Sequence, residues 1–204
     1  MEKQLYLILI FAGLFSGLHI SAQIPERAED ICPLLNGETI PDASLTAPDG
    51  NLHQVSGIVG TKPTVLLFYR GGWCPYCNVH LAEIQEIEAE IIELGYRIVA
   101  ISPDSPQNLQ QSDETQMLKY SLYSDADGTF IKGLGIAFKA PDRMSGMLTG
   151  RSGGKNDGLL PVPSVFVVDS SGRIMFQYIN PDYRTRLTAS LLISVLRELQ
   201  PDGS

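Results

Sequence analysis

The pattern of apolar and polar residues along the chain predicts alternating strands and helices. Strands are expected where β-branched and other apolar residues follow one another between turn signals. The predicted strands are residues 64–68, 96–102, 121–124, 163–169 and 173–178. A helical stretch separates the first two, which implies a parallel pair with a right-handed crossover, whereas the last two form an antiparallel hairpin. The sequence therefore predicts an α/β fold with a central mixed sheet flanked by helices.

Four segments have the periodicity or the end signals of helices. They are residues 78–94, 108–118, 129–135 and 185–199. The first carries apolar residues at helical spacing and stops at Gly95. The last is predicted to bury one apolar face. That face consists of Leu187, Leu191, Val195 and Leu199.

Turn residues organise the remaining segments. Residues 40–45 and 51–55 flank the turn signal Pro48-Asp49-Gly50 and are expected to form an N-terminal hairpin. Residues 139–160 contain five glycines and no periodicity. They are predicted to be a long loop, and loops of that length are either functional or flexible.

Composition changes this picture little. The chain has 204 residues, of which 44% are hydrophobic, and this suits one globular domain with its own core. The formal net charge is −8, which makes nucleic acid an unfavourable partner because its phosphates are anionic as well.

The N-terminus resembles a secretory signal. Residues 1–22 combine Lys3, an apolar run from Leu5 to Leu14 and a small-residue exit at Ser21-Ala22. The product is expected to be exported, to a periplasm or outside the cell, with cleavage after Ala22; a retained membrane anchor is the alternative. Residues 23–35 are then predicted to be a loose polar leader. Cys32 in this leader is interpreted as a leftover free thiol.

The other two cysteines, Cys74 and Cys77, lie where a predicted strand gives way to a helix. The first turn of a helix has unpaired N–H groups and a positive dipole end, which favour a thiolate. One sulfur can attack a substrate, and the other can resolve the product by closing a Cys74–Cys77 disulfide. Pro75 suits an early helical position, and Trp73 would shield one side of the thiols from water.

Two alternatives use the same cysteines differently. His80 extends them to a Cys-x2-Cys-x2-His run that could hold zinc, but only His53 or Cys32 is at hand as a fourth ligand. A purely structural disulfide is the other, although closing so small a loop removes little chain entropy. His80 is otherwise predicted to be a surface residue of the helix. No metal and no cofactor are expected.

The run from Phe68 to Cys77 carries a family resemblance. Trp-Cys-x-x-Cys between strand and helix resembles the thioredoxin superfamily, and the dipeptide Pro75-Tyr76 is similar to that of glutaredoxins. With Arg70-Gly71-Gly72 before it, the run most resembles the peroxiredoxin-like branch of the alkyl hydroperoxide reductase/thiol-specific antioxidant (AhpC/TSA) family. The resemblance implies a thioredoxin-like domain over residues 36–200, with the N-terminal hairpin and a peroxiredoxin-type insert after residue 102. It also implies a cis Val162–Pro163 bond facing the thiols.

The chain departs from the usual peroxiredoxin pattern. In that register Arg70 replaces a proline, Cys74 a threonine and Pro163 an arginine, while Cys77 takes the place of the peroxidatic cysteine. The missing threonine and arginine would normally stabilise the leaving oxygen of a peroxide. Arg70 or Arg184 could supply the cation instead.

The resemblance and the residues together predict a thiol-dependent oxidoreductase with an antioxidant role. It would reduce disulfides or hydroperoxides and be recharged by a thioredoxin-like or membrane dithiol donor. Thioredoxin chemistry makes the exposed, earlier Cys74 the nucleophile, which we favour; peroxiredoxin register makes it Cys77. A non-catalytic thioredoxin-fold binding module, with residues 139–160 as its contact loop, is the alternative from another class.

Overall fold

The computed structural model of the protein describes residues 23–116 and 118–200. The predicted signal segment, residues 1–22, lies outside the described residues. Within the described ranges, no helix has both the length and the apolar character that crossing a membrane requires.

Nine strands are present in the described ranges. In chain order they are β1 (Ser44–Thr46), β2 (Leu52–Gln54), β3 (Thr64–Phe68), β4 (Arg97–Ser102), β5 (Ser121–Ser124), β6 (Ala137–Lys139), β7 (Leu159–Pro161), β8 (Ser164–Val168) and β9 (Ile174–Ile179). Seven of them form one sheet in the order β2-β1-β5-β4-β3-β8-β9, and β6 and β7 form a separate pair. β3, β4 and β5 run parallel, and the outer pairings are antiparallel. The predicted mixed sheet is confirmed.

Seven α-helices connect or cover the strands in the described part of the chain. They are α1 (Val55–Val59), α2 (Pro75–Glu86), α3 (Glu88–Glu93), α4 (Pro106–Gln116), α5 (Thr129–Gly133), α6 (Ser145–Arg151) and α7 (Ala189–Glu198). The helix predicted to start at residue 78 is thus two helices, because the backbone at Ile87 (φ −105°, ψ 6°) leaves the helical range.

The core lies on both faces of the sheet. Every residue of β3 is buried, and its side chains alternate between two apolar clusters. Val65 and Leu67 contribute to the cluster that contains α2 and both cysteines, whereas Leu66 and Phe68 contribute to the opposite one. The candidate thiols are therefore part of a packed core.

Residues 139–160 are not the predicted loop. β6 pairs with β7 from Ala137 opposite Pro161 to Lys139 opposite Leu159, and α6 lies between them. The buried side chain of Asn156 binds the backbone there, accepting from the N–H groups of Gly158 (2.9 Å) and Leu159 (2.6 Å). These hydrogen bonds order the segment, although its sequence has no apolar periodicity that would predict an ordered structure.

The leader is attached to the core rather than loose. The carbonyl of Pro25 accepts a hydrogen bond from the N–H of Lys139 at 2.8 Å, and residues 28–30 form a 3₁₀ turn. Ile31 and Leu34 pack against the cluster that lies opposite the cysteines. These apolar contacts explain why a polar segment follows the surface of the domain.

The last helix begins later than predicted and buries another face. Thr188 is its N-cap and accepts from the N–H of Leu191 at 3.4 Å. Leu191 is 50% exposed, while Leu192, Ile193 and Leu196 are buried. Leu187 is buried as predicted but precedes the helix, so it does not define the helical face.

Candidate active site

Cys74 and Cys77 lie at the N-terminal end of α2, as predicted. Cys74 is the N-cap with an extended backbone (φ −92°, ψ 110°), Pro75 follows at the first helical position, and Cys77 is the third helical residue. Proline suits that position because its ring presets φ and its missing N–H has no partner there in any case. Both cysteines are free thiols in this structure.

The thiols are buried, and the expectation of an exposed Cys74 is wrong. Cys74 is 1% exposed and Cys77 is fully buried. Both sulfurs belong to the apolar cluster, and Trp73 packs against that cluster as the sequence suggested. Tyr76, between the cysteines, remains 46% exposed. The site is thus a covered pair of sulfurs with one aromatic ring at the surface.

The two thiols differ in acidity because they bond to each other. A hydrogen bond from Cys77 lowers the pKa of the Cys74 thiol to about 6, with help from the charges of Arg70 and Arg186 and against the effect of burial. The same hydrogen bond, together with burial, raises the pKa of Cys77. The pair therefore favours a state with one proton, in which Cys74 is the thiolate and Cys77 the donor.

The cation at the second sulfur is Arg186, which sequence reasoning missed. Its Nη2 donates to Sγ of Cys77 at 3.3 Å. Arg184, which the sequence suggested, lies in an exposed ion pair with Asp182 at 3.0 Å. Both arginines belong to the segment that leads into α7, and only its backbone path decides which of them faces inward.

Arg70 lies against two aromatic rings, and its charge helps to lower the pKa of Cys74. Its guanidinium carbon is 5.0 Å from the centre of the Trp73 ring and 4.4 Å from that of Tyr183, distances typical of cation–π contacts. Tyr183 in turn meets Tyr76 edge to face at 5.6 Å. In the described part of the chain, Arg70 forms no ion pair with a carboxylate within 4.0 Å, so its charge is available to the site.

An ion pair between a buried carboxylate and a partly exposed arginine supports the loop before the cysteines. The carboxylate of Asp104 accepts from the N–H of Gly72 at 2.8 Å. The same carboxylate is bound by Nε of Arg151 at 3.0 Å and by its Nη2 at 2.9 Å. Residues 139–160 therefore reach the active-site loop through Arg151.

The Val162–Pro163 bond is trans, like every other peptide bond among the described residues. The cis geometry implied by the resemblance is therefore wrong. The N–H of Val162 donates to the carbonyl of Ile136 at 2.9 Å, and the chain passes from β7 into β8 in extended form. Pro163 still lies near the site, since it lines a cleft of about 520 Å³ together with Arg70, Met144 and Tyr183.

His80 is buried, not on the surface. Its ring nitrogen Nε2 lies 3.1 Å from the carbonyl oxygen of Leu187. Burial, followed by the charge of Arg186, lowers the pKa of His80 to about 4. Its ring thus faces a backbone carbonyl, and the described ranges hold no group of three histidine, cysteine or acidic residues arranged to bind a metal.

Comparisons with known proteins agree on one family. The sequence profile of the AhpC/TSA family matches residues 36–177. A putative peroxiredoxin of Mycobacterium tuberculosis is 26% identical over 165 residues, which cover 80% of this chain and 97% of that protein. The peroxiredoxin Bcp of Escherichia coli is 25% identical over 166 residues, covering 81% of this chain and 97% of the relative.

Solved structures show the same fold. The peroxidoxin BcpB of Mycobacterium tuberculosis superposes with a TM-score of 0.64 at 22% identity, covering 81% of this chain and 98% of its own. Reduced Prx3 of Vibrio vulnificus, solved in complex with hydrogen peroxide, gives a TM-score of 0.69 at 19% identity, with coverage of 80% and 99%.

Proposed function

Because the chain belongs to the AhpC/TSA family, we propose that it is a thiol-dependent peroxidase in which Cys74 and Cys77 form the redox pair. The observation that carries this proposal is the pair of free thiols in the first turn of α2, where Cys74 is the N-cap and Arg186 donates to the sulfur of Cys77 at 3.3 Å. The pKa of Cys74, lowered to about 6, agrees with it. A thiolate at neutral pH with a second thiol in contact is what peroxide reduction followed by disulfide formation requires. The family is one of enzymes, so the non-catalytic binding module is set aside.

The proposed reaction has two steps. The Cys74 thiolate attacks one oxygen of a hydroperoxide, the O–O bond breaks, and the leaving oxygen takes a proton to give an alcohol or water. Cys74 is then a sulfenic acid. The Cys77 thiol attacks its sulfur, water leaves, and the Cys74–Cys77 disulfide forms. The two thiols have been oxidised by two electrons and the hydroperoxide reduced by two.

Two arginines would take the place of the family residues that this chain lacks. Negative charge develops on the leaving oxygen as the O–O bond breaks, and fixed cations around a dry site stabilise it strongly. Arg70 lies over the rings of Trp73 and Tyr183 and its charge lowers the pKa of Cys74, and Arg186 contacts Cys77. Neither has a carboxylate partner within 4.0 Å in the described part of the chain.

A dithiol donor would return the pair to its reduced state. One thiolate of the donor attacks the Cys74–Cys77 bond, and its second thiol releases the pair as a dithiol while the donor becomes a disulfide. We propose a thioredoxin-like protein or a membrane dithiol donor for this role. We also propose that the enzyme works outside the cytoplasm, on the basis of the signal-like residues 1–22.

One observation favours the opposite order, in which Cys77 attacks the peroxide first. Arg186 donates to the sulfur of Cys77, and a cation in contact with a sulfur stabilises its thiolate. In this alternative Cys77 attacks the peroxide, as the family register implies, and Cys74 resolves the sulfenic acid. The overall reaction is unchanged.

Single-cysteine variants test both the function and the order. With Cys77→Ser, we expect one equivalent of hydroperoxide to be consumed rapidly and a sulfenic acid to be trapped on Cys74 by a dione reagent. With Cys74→Ser, the burst should slow by at least about tenfold, because the thiol that remains, Cys77, is fully buried and burial disfavours its thiolate. Cys32→Ser is the control and should retain full turnover.

The opposite pattern, with a burst and a trapped adduct on Cys77, would assign the attack to Cys77. The peroxidase proposal fails if the unaltered protein consumes hydroperoxide no faster than Cys74→Ser/Cys77→Ser. Mass spectrometry of the cysteine peptides assigns the adduct.

A further inference from the structure

We infer that His80 is a positioning residue, which holds Arg186 against the sulfur pair through the backbone carbonyl of Leu187. The inference deepens the proposed function because it names the group that keeps a cation at the site.

His80 and Cys77 share one face of α2. They are three residues apart, so their side chains project from the same side of the helix within one turn. His80 is only 6% exposed, and its Nε2 lies 3.1 Å from the carbonyl oxygen of Leu187. A carbonyl oxygen can only accept, so Nε2 must carry the hydrogen.

The bonded carbonyl belongs to the residue that follows Arg186. Leu187 is anchored twice, by this hydrogen bond and by its buried side chain. The guanidinium of Arg186 then reaches Cys77 at 3.3 Å. The contacts form a closed circuit from Cys77 along the helix to His80, across to Leu187 and back through Arg186.

Among the described residues, the side chain of Arg186 forms one hydrogen bond, to Cys77. Its Nε is buried without a hydrogen-bond partner in the described part of the chain, and no carboxylate lies within 4.0 Å there. Its position therefore depends on the backbone from which it extends. Loss of the His80 bond should let this segment move and weaken the contact of Arg186 with the sulfur.

His80 acts here as a neutral donor. A charged imidazolium would repel Arg186, and burial together with that arginine holds the pKa of His80 at about 4. A glutamine at this position can present an N–H at a similar reach without any charge, whereas methionine fills similar volume without a donor. This pair of substitutions separates the hydrogen bond from simple packing.

The test uses a protein with Cys77 as its only cysteine, made by Cys32→Ser and Cys74→Ser. The thiolate pKa of Cys77 is read from the carbon-13 chemical shift of its labelled Cβ, which needs no access of a reagent to the buried sulfur and is not masked by the absorbance of ionised tyrosines. We expect His80→Met to lower the thiolate fraction at a given pH about tenfold, a shift of about one pKa unit. His80→Gln should stay within about twofold of the parent.

A double-mutant cycle shows whether the effect passes through Arg186. Arg186→Met should lower the thiolate fraction about as much, and adding His80→Met to it should change nothing further. The inference is overturned if the two effects add, if His80→Met leaves the pKa unchanged, or if His80→Gln behaves like His80→Met.

Two further variants keep the test decisive. Should circular dichroism show that His80→Met does not fold, His80→Asn replaces it, since the shorter amide cannot reach the Leu187 carbonyl. His53→Gln alters a histidine whose ring contacts Tyr123 and should leave the Cys77 titration unchanged. The titration involves no peroxide, so a failure of the peroxidase proposal would be seen separately.

Discussion

At the scale of single residues, the chemistry of this site depends on small differences between neighbours. Cys74 and Cys77 are three positions apart, yet the pKa of the first is lowered and that of the second is raised. Arg184 and Arg186 are two positions apart, yet only the second contacts a sulfur. The backbone conformation that produces these differences requires a glycine at position 71, before the cysteines.

Gly71 has a φ of +133°, a conformation that residues with a Cβ rarely adopt. A Cβ there would also lie 2.5 Å from Nε1 of Trp73 and 3.0 Å from a carboxylate oxygen of Asp104. We expect Gly71→Ala to destabilise the protein by about 1–3 kcal/mol and to slow hydroperoxide consumption, because the loop that carries Arg70 must shift. Urea unfolding and a peroxide assay measure the two effects.

Gly57→Ala is the matched control for that substitution. Gly57 lies within α1, its φ is not positive, and nothing lies within 4 Å of its added Cβ. Alanine should therefore be neutral or stabilise the helix by up to about 1 kcal/mol. Equal stability of the two variants would contradict the argument from backbone strain.

At the scale of elements, α6 supports a loop that is distant in the sequence. Arg151 at its C-terminal end binds Asp104 after β4 with two hydrogen bonds, and Asp104 in turn holds the N–H of Gly72. Asp104 is 1% exposed, so loss of Arg151 would leave a buried carboxylate without its ion-pair partner.

We expect Arg151→Met to destabilise the protein by about 3–5 kcal/mol, because it leaves the Asp104 carboxylate buried and uncompensated. The double variant Asp104→Asn/Arg151→Met should recover part of the loss, since no charge is then buried. Urea unfolding gives both values. Arg197→Met, which removes the exposed ion pair with Glu90, should change stability little. Similar losses at Arg151 and Arg197 would argue against a special role for the buried pair.

Elements with a local signal were predictable from the sequence. β3 and the start of α2 follow from an uninterrupted apolar run and from Pro75, and the β8–β9 hairpin follows from its turn. Elements that depend on distant partners were not. β6 and β7 are three residues each and exist through pairing with one another, and the buried face of α7 depends on where Thr188 starts the helix.

The same limit applies to the site. The two cysteines, Arg70 and Trp73 lie in one continuous run, so the sequence alone places them close together. His80 and Arg186 come together only through the packing of α2 against the segment before α7. A histidine one turn after Cys77 was the only hint, and periodicity alone could not tell a buried position from an exposed one.

At the scale of the whole molecule, a buried ionisable residue lies beside each of the two apolar clusters, and burial shifts its pKa. His80 lies beside the cluster that contains the cysteines, and its pKa is lowered to about 4. Asp125 lies beside the other cluster, where its carboxylate accepts from the N–H groups of Phe130 and Ile131, and burial raises its pKa to about 6. Burial disfavours the charged form of both groups.

The two groups should oppose each other in the pH dependence of stability. Between about pH 4 and its usual pKa of 6.5, His80 binds a proton in the unfolded protein but not in the folded one. The free energy of unfolding therefore decreases as pH falls towards about 4. Above its usual pKa of 3.8, an unfolded Asp125 releases a proton that the folded one keeps, so its contribution is lost as pH rises towards about 6. Between about pH 4 and 6 the two slopes therefore have opposite signs.

We expect the unaltered protein to show a shallow dependence of the unfolding free energy on pH in this window. In His80→Gln only the effect of Asp125 remains, so the unfolding free energy should fall as pH rises. In Asp125→Asn only the effect of His80 remains, so the unfolding free energy should increase as pH rises. Each slope is limited to about 1.4 kcal/mol per pH unit, the value for one proton. Urea unfolding at constant ionic strength measures them, and slopes of the same sign in the two variants would show that these residues do not titrate as the structure requires.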